Sequence, residues 1–132
     1  MAAGENNARP KGGDFALRAQ LLALGLGADR AEVLRRTVDQ LNKDLGMQAD
    51  PIKAPPADDQ AFEVLRAQVF PLLERLFTTD PHAANVAMYR VDIPQFLRDR
   101  ALAEGGIHAL AGEVVLRCLQ KVLTRMRFSG EF

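Results

Sequence analysis

The side chains that could carry acid–base or metal chemistry are few in this sequence, and they are spread along it. The 132 residues include two histidines, His82 and His108, and one cysteine, Cys118. A helical metal site needs a second ligand three or four positions away, and neither histidine has one on its own predicted helix. We therefore predict no metal site and no bound cofactor.

The candidate nucleophiles lie at positions that do not favour nucleophilic catalysis. Ser129 falls in the C-terminal tail, where a hydroxyl is rarely held rigidly beside a base. Cys118 falls on the apolar face of a predicted helix, and burial there raises the pKa of a thiol and makes it inert. The adjacent Asp58 and Asp59 would point about 100° apart at a helix start, so they do not converge on a substrate. We predict that the chain is not an enzyme.

A basic stripe runs along the last predicted helix, where Arg117, Lys121 and Arg125 recur at steps of four. Such a stripe can bind nucleic acid through phosphate contacts. It falls short of the roughly 6–10 contacts of a strongly salt-dependent binder, and cations also stabilise the C-terminal end of a helix. Nucleic-acid binding through this stripe is therefore the alternative function. The cations that would enlarge the stripe, if the second predicted helix lay alongside, are Arg35, Arg36 and Lys43.

Two groups of residues are typical of protein–protein contacts. Apolar residues of the second predicted helix form a seam with steps of 3, 4, 3 and 4, as two packed helices share. Tyr89 and Arg90 are residue types enriched at interface hot spots, although a tyrosine rooted in a core gives the same pattern. We predict a non-catalytic interaction or assembly module that binds a protein partner, or itself through the seam. The predicted partner-binding residues are Leu34, Val38, Leu41, Leu45, Tyr89 and Arg90.

The elements that position these residues are all predicted to be helices. Apolar residues recur every three or four positions, and no stretch alternates convincingly over the length of a strand. The first two helices form a hairpin over residues 14–47. Its first helix covers residues 15–24, and Asp29 caps a second helix that Gly46 ends.

Residues 58–128 are predicted to form a body of four helices. Pro71 lies inside the first of them and predicts a kink. The segments Asp80-Pro81 and Asp92-Ile93-Pro94 both have an aspartate followed closely by proline, which is typical of a helix start. Gly105-Gly106 predicts the end of a short helix before the last one.

The last predicted helix, over residues 107–128, is the longest and has one apolar and one charged face. Because its apolar stripe continues for about six turns, we expect this helix to lie at the centre of the core. Its apolar residues are Leu110, Ala111, Val114, Val115, Cys118, Leu119, Val122 and Met126.

Composition is that of an ordinary folded domain, with 48% apolar and 26% charged residues. Lysine plus arginine equals aspartate plus glutamate at 17 each, so no net charge attracts nucleic acid or an anionic membrane. No apolar run approaches the roughly 18–20 residues that span a bilayer, and the first residues do not resemble a secretory signal. We expect a cytoplasmic protein that does not bind membranes.

These observations predict an all-α fold, an irregular bundle of five to six helices in one folded domain. Residues 1–13 are polar and predict a disordered tail. Residues 48–57 contain three prolines and predict an extended linker between the hairpin and the four-helix body.

Overall fold

The computed structural model describes Phe15, Arg18, Ala19 and residues 29–130. Within this part of the chain the regular secondary structure is helical, with no strand. The all-α prediction is therefore confirmed. The predicted tail over residues 1–13 and most of the first predicted helix lie outside the described residues. The helices are α1 (Arg30–Leu45), α2 (Ala61–Thr79), α3 (Pro81–Val91) and α4 (Gln95–Phe128).

The two ends of α1 follow the predicted capping. The Asp29 carboxylate accepts a hydrogen bond from the Ala31 backbone N–H at 3.0 Å, which satisfies one free donor of the first turn. Gly46 follows the last turn with φ 69°, a left-handed conformation that glycine adopts without steric cost, and its N–H donates to backbone carbonyls of that turn. Local chemistry therefore sets the length of α1.

A helix follows each of the two predicted start signals, but the aspartate acts as the cap in only one of them. Asp80 caps α3 by accepting from the Ala83 N–H at 3.1 Å, with Pro81 as the first helical residue. Asp92 instead ends α3, because it adopts φ 74° and its N–H donates to the carbonyls of Met88 and Tyr89. Pro94 itself precedes α4 in an extended conformation, so α4 begins without a side-chain cap.

Pro71 and the Gly105-Gly106 pair both lie inside helices, but only the glycine pair coincides with a break in helical geometry. Helix α2 continues across Pro71, whose side chain is exposed. Within α4, Gly106 is non-helical (φ 69°, ψ −155°) and a kink there divides two helical parts, so the break predicted at Gly105-Gly106 is confirmed. The short helix and the long last helix of the prediction are therefore two parts of α4, joined at this break.

We expect Gly106→Ala to lower the free energy of unfolding by about 1–3 kcal/mol, because its backbone lies in a region that essentially only glycine adopts. The matched control is Gly105→Ala, one residue earlier in helical conformation, which should raise stability by up to about 1 kcal/mol. Chemical denaturation of both variants measures the difference. Equal effects at the two positions would contradict this account of the break.

Helix α4 forms the centre of the core, as its apolar period predicts. It packs against each of the other three helices, most extensively against α2 and α1. Cys118 is buried among its apolar residues, which confirms its placement in the core. The fully buried side chains of α4 include Leu110, Val114, Val115, Leu119 and Val122.

The seam on α1 is filled by the chain's own core. Its residues are between 0% and 9% exposed, because α1 lies against α4 and α3. Self-association through this seam would require the core to open, so we do not carry that prediction forward. The seam residues concerned are Leu34, Val38, Leu41 and Leu45.

The proline-rich segment between α1 and α2 is extended but fastened to both helices. The Asn42 side chain accepts from the Ile52 N–H at 2.7 Å and donates to its carbonyl at 3.0 Å. Gln68 makes the same two bonds to Lys53, at 3.0 and 2.9 Å. Ile52 is buried. This segment is therefore hydrogen-bonded to both α1 and α2 rather than acting as a free spacer.

Candidate functional site

The outer face of α3 presents an aromatic side chain to solvent. Tyr89 is 86% exposed, so it is not the core-rooted tyrosine that the same sequence pattern allows. Val86 lies three residues earlier, on the same face of the helix, and is also exposed. Arg90 is exposed beside them. We call Val86, Tyr89 and Arg90 the α3 face.

Lys121 links the C-terminal end of α3 to a buried carboxylate on α1. Its Nζ donates to Asp44 Oδ2 at 2.8 Å and to the Arg90 carbonyl at 2.8 Å. The side chain of Asp44 is only 8% exposed. This arrangement joins the ends of α1 and α3 to the C-terminal half of α4.

The other two cations of the basic stripe also contact residues of the chain. The Arg117 guanidinium donates to Asp92 Oδ2 at 2.5 Å and to Gln120 Oε1 at 3.2 Å. Arg125 donates to the amide oxygen of Gln40 on α1. Carboxylates therefore neutralise two members of the stripe, whereas the third is bound to an uncharged partner.

Arg117 changes the titration of Asp92. The hydrogen bond from the guanidinium, followed by its positive charge, lowers the pKa of the Asp92 carboxyl. A depressed pKa means that the folded state favours the carboxylate. The stabilisation is therefore present above the ordinary carboxyl pKa and is lost as the pH falls through the lower folded value.

We expect Arg117→Gln to raise the pKa of Asp92 toward its ordinary value, about 3.9, because the charged donor is removed. Carbon-detected NMR titration of the Asp92 carboxyl measures this change. Arg127→Gln removes an exposed cation from the end of the same helix and serves as the control, with no change expected. An unaltered midpoint in Arg117→Gln would contradict the pairing.

A furrow lies between α1 and α4 along the basic stripe. It consists of two cavities of about 430 and 270 Å³, which share Gln40 and Arg125. Because α1 lies alongside α4, the furrow includes two of the α1 cations that were expected to enlarge the stripe. The residues that line the furrow are Arg36, Asp39, Gln40, Lys43, Arg117, Gln120, Lys121, Thr124 and Arg125.

A separate groove of about 410 Å³ lies where the start of α4 faces the middle of the same helix. It contains the Arg117–Asp92 pair and a second ion pair, from Arg18 to Glu113 at 3.3 Å. Its charges are therefore largely paired within the chain. Leu97 and Leu116 supply part of its apolar lining.

Cys118, Ser129 and His108 each contact a different neighbour in the described part of the chain. Cys118 Sγ lies 3.7 Å from Asp44 Oδ2, and burial, followed by the Asp44 charge, raises the thiol pKa. Ser129 donates to the Met126 carbonyl at the end of α4. His108 packs edge-on against Phe70. Among the described residues, no group of three or more side chains could hold a metal ion.

Sequence reasoning missed the acidic partners of the stripe. Asp44 lies in the last turn of α1, where the helix dipole disfavours a carboxylate. That position was the one available signal that Asp44 has a cation elsewhere in the fold. The contact of Asp92 with Arg117 crosses 25 residues and has no local signature.

The comparisons with known proteins give no match. Within the described part of the chain, no helix is both long and apolar enough to cross a membrane. A scan of the sequence against protein-family models, curated proteins and solved structures finds no match in any of the three comparisons.

Proposed function

We propose that this chain is a non-catalytic helical interaction module that contacts a protein partner through the α3 face. The observation that carries the proposal is the 86% exposure of Tyr89. A tyrosine offers a large contact area and a hydroxyl at little cost in conformational entropy, and it is among the residues most enriched at binding hot spots.

The surroundings of Tyr89 also support a contact surface. Val86 adds apolar area on the same face, and Arg90 adds an exposed guanidinium. Lys121 holds the Arg90 carbonyl, so the end of α3 is fixed before a partner binds. A fixed surface loses less entropy on association than a mobile one.

The test compares three tagged baits in extract of the native cell: the wild-type chain, Tyr89→Ala and Phe128→Ala. Phe128 is 84% exposed and controls for the loss of an exposed aromatic ring. Captured proteins are quantified by mass spectrometry, and light scattering shows when the partner is a second copy. We expect one partner whose captured amount falls at least about tenfold with Tyr89→Ala. Phe128→Ala should capture as much of it as the wild type does. Equal capture by all three baits would contradict the proposal.

Nucleic-acid binding is the second candidate, favoured by the position of α1 alongside the basic stripe. Against it, Asp92 and Asp44 already neutralise Arg117 and Lys121. Retention of mixed DNA or RNA at about 50 mM salt is the test, because phosphate contacts are strongest at low salt. Absence of retention under that condition removes this candidate.

A further inference from the structure

We propose that the furrow between α1 and α4 binds an acidic segment of a protein partner, a short run of aspartate and glutamate residues. The inference rests on the proposed function, because it gives the chemistry of the partner whose contact begins at the α3 face. The furrow reaches the C-terminal end of α3, since Lys121 lines it and donates to the Arg90 backbone carbonyl.

The lining of the larger cavity carries the proposal. Each of the six described residues that line it has an N–H or O–H donor, and none of these six is a carboxylate. Such a lining is unlike an apolar small-molecule pocket and suits a ligand with many acceptor oxygens. The smaller cavity adds Arg36 and Lys43, and Asp39 is the one acidic residue in the described part of its lining.

Two of the furrow cations are already paired with carboxylates of this chain and are not the ones expected to bind the partner. Asp92 approaches Arg117 and Asp44 approaches Lys121 at hydrogen-bond distance. Other cations remain available, since Arg125 is bound to an uncharged amide and Lys43 has no ion pair within the described residues. An incoming carboxylate at these two positions would form charge-assisted hydrogen bonds.

The dimensions of the furrow favour a peptide over a nucleic acid. Arg117 and Arg125 are separated by about 12 Å of helix, which an extended segment of about four residues covers. Among the described residues that line the furrow, none has an aromatic side chain on which a base could stack. The short length also limits the number of phosphates that the furrow could contact.

The test uses the full chain and fluorescein-labelled peptides of eight glutamates or eight glutamines, followed by anisotropy. We expect the glutamate peptide to bind at least about tenfold more tightly, with affinity falling as salt rises from about 50 to 200 mM. The double variant Lys43→Gln/Arg125→Gln should weaken binding by at least about fivefold. The matched control Lys53→Gln/Arg75→Gln removes the same charge from exposed positions outside the furrow and should bind as the wild type does.

Three results would overturn the proposal. They are equal binding of both peptides, equal weakening in both double variants, or binding of a single-stranded oligonucleotide that is tighter than binding of the glutamate peptide. Circular dichroism confirms that the variants fold. Failure here is distinguishable from failure of the proposed function. If Tyr89→Ala loses the captured partner but the glutamate peptide does not bind, the proposed role of the α3 face stands and only the proposal for the furrow fails.

Discussion

Asp44→Asn lowers the free energy of unfolding by about 3 kcal/mol, which is the largest effect expected for a single polar substitution in this chain. The carboxylate is 8% exposed and its partner Lys121 is 23% exposed. The substitution leaves the ammonium group of Lys121 in a largely desolvated position without its counter-charge. Because Lys121 keeps some contact with solvent, the loss should fall at the lower end of the range for broken buried pairs. Urea denaturation measures it.

A double-mutant cycle separates the ion pair from other effects of the substitution. Lys121→Met leaves the Asp44 carboxylate buried and unpaired, so we expect a similar loss. The combined variant Asp44→Asn/Lys121→Met should be more stable than either single variant, because no charge is then left buried alone. Strictly additive losses would contradict the account of Asp44 and Lys121 as a coupled pair.

Leu41→Ala also lowers the free energy of unfolding by about 3 kcal/mol, through lost transfer energy and the cavity left behind. Leu41 is 0% exposed between α1 and the helices that cover it. The same residue belongs to the seam that the sequence assigns to self-association. The dependence of unfolding on protein concentration shows which of these two roles is correct.

The two roles of Leu41 differ in their dependence on protein concentration. A residue of the chain's own core gives an unfolding midpoint that does not change with concentration, whereas a residue of a dimer interface gives one that rises with it. The control Tyr89→Ala removes a large but exposed side chain and should change stability by less than about 0.5 kcal/mol. A concentration-dependent midpoint in the wild type would restore the self-association role of the seam.

Local signals predicted the fold best where the chemistry of a helix end is unambiguous. Asp29, Gly46 and Asp80 each occupy the predicted cap because a short side chain or a left-handed glycine satisfies the end of a helix nearby. Asp92 was assigned to the wrong helix end because aspartate both caps helix starts and tolerates the left-handed conformation.

The site was harder to predict, because its contacts join distant parts of the chain. The bond from Lys121 to Asp44 spans 77 residues, and that from Arg125 to Gln40 spans 85. Periodicity showed that the seam around Leu41 must be buried, but not that α4 of the same chain covers it. The exposure of Tyr89 likewise depends on which face of α3 meets the core.

If the α3 face contacts a protein partner, a photocrosslinker placed at position 89 should form a covalent product with that partner. Benzoylphenylalanine replaces Tyr89 in one chain and Arg75, an exposed residue of α2, in the control. Both chains are irradiated in the native cell, and crosslinked products are identified by mass. We expect a discrete crosslinked product from position 89 that is absent when the crosslinker is at position 75. The same products from both positions, or none from position 89, would contradict this expectation.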